Sequence, residues 1–295
     1  MQQNIELFIS YLSKEKRYSK HTINAYKKDI SQFHSFLSSQ MDDIAMDEIR
    51  NIHIRSWIVE LVEDGIANRS INRKIVALRN FFKFLKKSNP ILTNPCDKIQ
   101  ALKTPKRLPN FIQEKDLRNT FEIMVQDETD PFQWRDYLII ELLYNTGIRR
   151  SELIELKKQD ISFSRNVMRV LGKGNKERLV PVSDIMKDDL RKYLSILEEN
   201  QNISEYIFLN KNNKKLYPKA VYNVVNKYLS LLTTNEKKSP HVLRHSFATH
   251  LMNRGAELNA VKEILGHASL AATQIYTHNS IEELKSIYKK AHPKS

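Results

Sequence analysis

A single cysteine in 295 residues, Cys96, excludes an intrachain disulfide framework and any zinc site built on thiolates. It suits a reducing, cytoplasmic setting. Six glycines and nine prolines are too few for long pliant linkers or low-complexity tails. No stretch approaches the roughly 18 apolar residues of a membrane helix, so no membrane partner is expected. The opening Met1-Gln2-Gln3-Asn4-Ile5-Glu6 carries no basic n-region and no apolar run behind it. The G-x-x-x-x-G-K-[ST] and H-E-x-x-H patterns are also missing, which removes P-loop nucleotide hydrolysis and zincin-type proteolysis.

What is present is core and charge. Forty-one per cent hydrophobic, 9% aromatic and 28% charged residues describe a globular protein with material for real cores. Lys and Arg total 48 against 34 Asp and Glu, giving +14 at neutral pH. That balance favours a polyanionic partner: nucleic acid, an anionic surface or an acidic substrate.

The first hundred residues read as amphipathic helices. Ile5, Phe8, Ile9 and Leu12 share a face, as do Ile30, Phe33, Phe36 and Leu37. Ile54, Trp57, Ile58 and Leu61 form a third set, and Ile71, Ile75, Leu78, Phe81, Phe82 and Leu85 a fourth. Ser19 is a natural N-cap for the helix that holds Thr22, Ile23 and Tyr26. Four or five such helices predict a bundle. From Asn89 to Pro109, four prolines interleave with Lys98, Lys103, Lys106 and Arg107, the signature of a connection between domains. The boundaries expected are 1–104 for an N-terminal helical domain, 105–110 for a linker and 111–295 for a larger domain. The excess positive charge divides as about +8 and about +6, so two basic modules are expected to grip one polyanion. In the second part, Val167 to Val170 and Arg178 to Val182 flank the turn Gly172-Lys173-Gly174-Asn175, predicting a hairpin among helices. The fold class expected is mainly α, two domains, with one small antiparallel sheet. No repeat is visible at periods of 20–50 residues.

Four segments carry residues suited to chemistry. Thr146-Gly147-Ile148-Arg149-Arg150-Ser151-Glu152-Leu153 breaks one apolar helix and starts another, which puts arginine near an anion-favouring helix N-terminus. Standing alone, it reads as a solvated arginine pair. Lys173 stands at the hairpin tip, where it could reach a phosphate, although lysines at such tips are ordinarily just solvated. His241-Val242-Leu243-Arg244-His245 places His241 and Arg244 on one helical face. His241 and His245 have metal-ligand spacing, but no acidic residue within the segment joins them. Leu265-Gly266-His267 and Tyr276-Thr277-His278 add a glycine-presented histidine and a tyrosine. A tyrosine nucleophile needs a base or a strong positive field, and a buried phenol in a core is the ordinary alternative.

Taken in order, Arg149, Lys173, His241-x-x-Arg244, His267 and Tyr276 resemble the tyrosine recombinase (phage integrase) family, and most of all its bacterial Xer-type branch. The first segment is similar to the family's T-G-[LIM]-R-x-S-E-L box, and Gly172-Lys173-Gly174-Asn175-Lys176-Glu177-Arg178 looks like its hairpin lysine motif. Lys20 to Tyr26 and Asn72 to Arg79 look like the family's DNA-contacting N-terminal helices. Arg150 departs from the small apolar residue usual at that place, which hints at a surface or DNA contact.

The resemblance implies a helical DNA-clamp domain followed by a catalytic domain, with DNA contacts from Thr22, Tyr26, Arg73, Lys74 and Arg79. It also implies cutting and rejoining of double-stranded DNA at a specific site, without cofactor, metal or nucleotide. Tyr276 would attack phosphorus, Lys173 protonate the leaving oxygen, and Arg149 and Arg244 bind the phosphate. His241 would assist proton transfer, His267 hydrogen-bond the phosphate, and Glu152 orient the first arginine. Four protomers would act together, as a homotetramer or with a second recombinase, and a DNA translocase could activate them. The tail around Ile281, Leu284, Ile287, Tyr288 and Ala291 is expected to dock on a neighbouring protomer. Resolution of chromosome dimers is the role implied, with a mobile-element integrase as alternative. A type IB topoisomerase would use the same chemistry, and a regulator that kept only DNA binding is disfavoured by the complete residue set.

Overall fold

The computed structural model describes residues 1–41, 44–88, 91–105, 111–124, 127, 129–172, 177–200, 204–232, 238–266 and the isolated positions 286, 288 and 290. The chain separates into two compact units, Met1–Arg107 and Leu108–Ser295.

The first unit is built on four helices: α1 (Gln2–Lys14), α2 (Lys20–Gln40), α3 (Asn51–Glu63) and α4 (Asn68–Ser88). The apolar stripes meet in one core, with Ile5, Phe8, Ile30, Phe33, Ile54, Trp57, Ile71, Phe81 and Phe82 almost fully buried. Ile9 and Ile58, at the flanks of their stripes, are only partly covered. Ser19 caps α2, its Oγ accepting the Thr22 backbone N–H at 3.3 Å.

The stretch expected as an interdomain connection behaves differently over much of its length. Ile91, Cys96 and Ile99 are buried in the first unit's core, while Asn72 Nδ2 donates to Leu102 O and Arg79 Nη2 to Ile99 O. The prolines stop α4, but the apolar residues between them still have a core to enter. Burial pushes the Cys96 thiol up to about 12, so this lone cysteine is an inert core residue.

The second unit contains α5 (Glu114–Glu122), α6 (Pro131–Asn145), α7 (Arg150–Glu155), a 3-10 turn at Lys158–Asp160, then β1 (Ile161–Ser162), β2 (Val167–Leu171) and β3 (Glu177–Pro181). Next come α8 (Asp184–Glu199), α9 (Pro218–Leu232), α10 (Pro240–Asn253) and α11 (Leu258–Leu265). The sheet is antiparallel in the order β1-β2-β3, and Val167 pairs with Pro181 while Leu171 pairs with Glu177. Of the expected turn Gly172-Lys173-Gly174-Asn175, the last three residues lie outside the described residues. β1 is a two-residue strand that leaves no period-2 pattern to read. Helix α6 touches α8, α9 and α10, and its run from Leu138 to Leu143 is buried on every side. Among the described residues no helix is long and apolar enough to cross a membrane.

One expectation for the tail needs correcting. Tyr288 is buried within its own chain's second core, and its hydroxyl donates to Asn145 O at 3.0 Å. This position therefore folds back in cis, where an aromatic ring and a satisfied hydroxyl both gain by leaving water. Ile281, Leu284, Ile287 and Ala291 lie outside the described residues.

Candidate active site

The site begins where α6 ends. Thr146 closes the helix and Gly147 turns the chain with φ +60°. A Cβ at Gly147 would lie 2.5 Å from Phe247 Cδ1 and 2.7 Å from Leu265 Cδ2, so α10 and α11 close on bare backbone. We expect Gly147→Ala to lower stability by roughly 1–3 kcal/mol through overpacking alone, with further strain from the positive φ. A thermal melt of the full chain checks it, and an unchanged midpoint would show that these neighbours yield without cost.

The turn delivers Arg149 as the residue that opens α7. Glu152, one turn on, reaches back: its Oε2 accepts the Arg149 backbone N–H at 2.7 Å and its Oε1 accepts Arg149 Nη1 at 2.7 Å. This is half of a capping box in which the carboxylate also takes the guanidinium. Arg149 Nη2 continues to the Gly266 carbonyl at 2.9 Å. From α10, Arg244 places Nη2 2.6 Å from Leu265 O and donates through Nη1 to Gly147 O. Arg178 on β3 forms a two-pronged pair with Glu152, 2.8 Å on each prong, and its Nε donates to Ile264 O at 2.9 Å.

Three consecutive carbonyls at the C-terminal end of α11 thus each receive a different arginine. Late helix carbonyls lack intrahelical donors and carry the negative end of the dipole, so guanidiniums suit them. Gly266 finishes α11 in the left-handed conformation, φ +62°.

The electrostatics follow from this packing. Burial alone would raise the Glu152 carboxyl, but the bonds and charges of Arg178 and Arg149 outweigh it and hold the group at about 2. Burial lowers Arg244 to about 10, helped by the like charge of Arg149, and it stays cationic at neutral pH. Three guanidiniums against one carboxylate leave the pocket positive by two charges. Each guanidinium has five N–H donors, so the carbonyl and carboxylate bonds of Arg149 and Arg244 leave up to three on each.

Of the remaining candidates, His241 is exposed in the first turn of α10, one turn before Arg244. Lys173, His267 and Tyr276 lie outside the described residues. Lys173 falls between β2 and β3, and His267 directly follows Gly266. Arg150 reaches the Pro218 carbonyl at 3.4 Å.

In the first unit, Thr22 Oγ1 bonds Ser19 Oγ at 2.9 Å and the Tyr26 hydroxyl accepts Asn80 Nδ2 at 3.2 Å. Arg73 is half-exposed and pairs with Asp29, and Arg79 is engaged with Ile99 O. Lys74 corrects the expectation of a DNA contact. It is 6% exposed, with Nζ 3.2 Å from Asp29 Oδ1 and a second bond to Gln32 Oε1, so its charge is spent inside the bundle. Sequence reasoning also missed the part played by Arg178, which it names only as a member of the second hairpin run and its motif. The signal available was its place in β3, where Arg178, Val180 and Val182 alternate onto the buried face.

The family model for phage integrases matches residues 110–283, and the model for the phage integrase N-terminal SAM-like domain matches residues 5–89. The chain belongs to the phage integrase family. Like its relatives, this integrase is an enzyme of the tyrosine recombinase class. The tyrosine recombinase XerC of Oceanobacillus iheyensis is 38% identical over 99% of this chain and 96% of its own length. XerC of Bacillus subtilis is 35% identical over 99% and 96%. The XerH site-specific recombinase in a post-cleavage complex with its palindromic difH substrate has a similar fold, TM-score 0.75 at 21% identity, covering 100% of this chain and 82% of that one. A lambda integrase fragment bound as a dimer to a COC′ core site gives 0.72 at 17%, over 97% and 95%.

Proposed function

We propose that this integrase is a site-specific recombinase that cuts and rejoins double-stranded DNA through a 3′-phosphotyrosyl intermediate, and that its task is resolving chromosome dimers before segregation. The observation that carries the reading is the pair Arg149 and Arg244, held on adjacent carbonyls with N–H groups to spare. A phosphodiester holds one negative charge and its pentavalent transition state two. Fixed guanidiniums therefore stabilise the transition state more than the ground state, which is what speeds a reaction. The two positive charges left in the pocket match the two negative charges of that transition state.

In this scheme Tyr276 attacks phosphorus, and the Lys173 ammonium protonates the departing 5′-oxygen. His241 assists the proton movements and His267 hydrogen-bonds a phosphate oxygen. The phosphotyrosine conserves the bond energy, so a partner strand's 5′-hydroxyl can reverse the step and complete an exchange. The scheme asks for no metal or nucleotide. Exchange between two duplexes takes four protomers, of this chain alone or with a second recombinase, and a DNA translocase is a candidate activator. Two basic units supply sequence-independent phosphate contacts, whose affinity should fall steeply with salt. The named XerC relatives support the chromosomal role.

The test is to recover the protein under denaturing conditions from cells, with its DNA attached. Nuclease digestion and mass spectrometry should find the nucleotide on Tyr276, and sequencing of the attached DNA should return one recurrent chromosomal sequence. A nucleotide on any other residue would remove the mechanism. Scattered sites would favour DNA relaxation of the topoisomerase kind.

A further inference from the structure

Arg178 has no place in the scheme above, yet it is one of the most completely engaged side chains in the second unit. It is 5% exposed, so DNA has no access to it. Both outer nitrogens bind the two oxygens of Glu152, while Nε holds Ile264 O. Gly266 lies flat upon it, since a Cβ there would be 2.9 Å from Arg178 Cδ and 3.1 Å from Nε. Three elements thus converge on one guanidinium: α7 through Glu152, β3 through its own backbone, and the end of α11. Two residues that the mechanism uses adjoin this cluster along the chain. Lys173 precedes it by five residues, and His267 follows the glycine stacked on it.

We propose that Arg178 is a positioning residue for strand cleavage, which fixes the Arg149 guanidinium through the shared Glu152 carboxylate and sets the end of α11 against β3. The proposal rests on the recombinase reading. A buried carboxylate shared by two arginines is held in one orientation only while both forks are in place. With one fork gone, Glu152 can rotate, and Arg149 loses the anchor that aims its remaining donors. Misplacement of a charge-stabilising group by about 1 Å can cost on the order of 10²-fold in rate.

The experiment is single-turnover adduct formation by the full chain, on a nicked suicide substrate carrying the sequence recovered from cells. The rate is measured from pH 5 to 8 with DNA affinity and melting temperature alongside. Wild-type cleavage validates the substrate, and its absence speaks against the recombinase reading rather than against Arg178. In Arg178→Gln, we expect a loss on the order of 10²-fold at pH 7.5, with DNA binding retained.

The pH profile separates positioning from mere folding. The charged groups facing Glu152 are Arg149 on its own helix, Arg178 on β3 and Arg244 on α10. Removing Arg178 leaves burial to raise the carboxyl. The Gln variant should therefore lose further rate as pH falls toward 5, relative to wild type, and adding Glu152→Gln should abolish that extra slope. Arg178→Lys keeps a charge but not the fork, so it should fold and recover part of the rate. Wild-type cleavage by Arg178→Gln would overturn the proposal. So would a loss that tracks the folded fraction with a wild-type pH profile. Should Arg178→Gln fail to fold, Arg178→Lys decides, because a full wild-type rate there removes any need for the fork.

Discussion

Arg244→Ala should slow covalent adduct formation by about 10²–10³-fold, the usual cost of losing one donor aimed at developing charge. Arg244 is 9% exposed, sits on α10 and spends only two N–H groups on Gly147 and Leu265 carbonyls. Its guanidinium stays cationic although burial and Arg149 bring it down to about 10. Arg244→Lys should recover little, because a single ammonium cannot hold both carbonyls and still present a fork to phosphate. Affinity for DNA should change far less than rate, since most of the +14 charge is available for contacts elsewhere. Single-turnover cleavage, corrected for the folded fraction, is the measurement. A rate within a few-fold of wild type would remove Arg244 from the chemistry.

Glu152→Leu should cost about 3–5 kcal/mol of stability, because it strands the Arg178 charge in the interior without its counterion. Glu152→Gln should cost less, as its amide oxygen can still accept one fork. The pH dependence has a definite sign. The folded carboxyl sits at about 2, below its ordinary 4.5. The ion pair therefore stabilises fully above pH 4.5 and loses that contribution as pH falls from there toward 2. Wild type should consequently shed stability across that window faster than Glu152→Gln. Urea unfolding at stepped pH, following the transition of the second unit, reads both effects. Parallel pH curves would show that folding does not shift the Glu152 carboxyl and that the ion pair adds no stability.

The helices of the first unit were legible because each buries one stripe, and a stripe writes its period into the chain. Phe8, Phe33, Trp57 and Phe81 fall where 3.6-residue spacing puts them, and Ser19 marks a helix start by its own chemistry. What escaped was decided by partners distant in sequence. Lys74 reads as a basic helix residue, and only Asp29, 45 residues away on another helix, draws it inside. Tyr288 reads as part of an unpartnered apolar face, yet its hydroxyl finds Asn145 O across 143 residues. The recombinase boxes put Arg149 and Arg244 in the right order but say nothing of what holds them. That information lies in backbone carbonyls, which have no letter in a sequence.

The three carbonyls at the end of α11 make a helix's length part of its chemistry. An α-helix turns by about 100° per residue, and α11 is seated by Val261, Ile264 and Leu265 in the core. One residue inserted just after Val261 would swing the Ile264, Leu265 and Gly266 carbonyls away from their arginines together. Substitutions on the outer face of α11 should drift freely in related chains, while its residue count stays as invariant as the arginines themselves. A gap in an alignment there would be as damaging as a lost catalytic side chain.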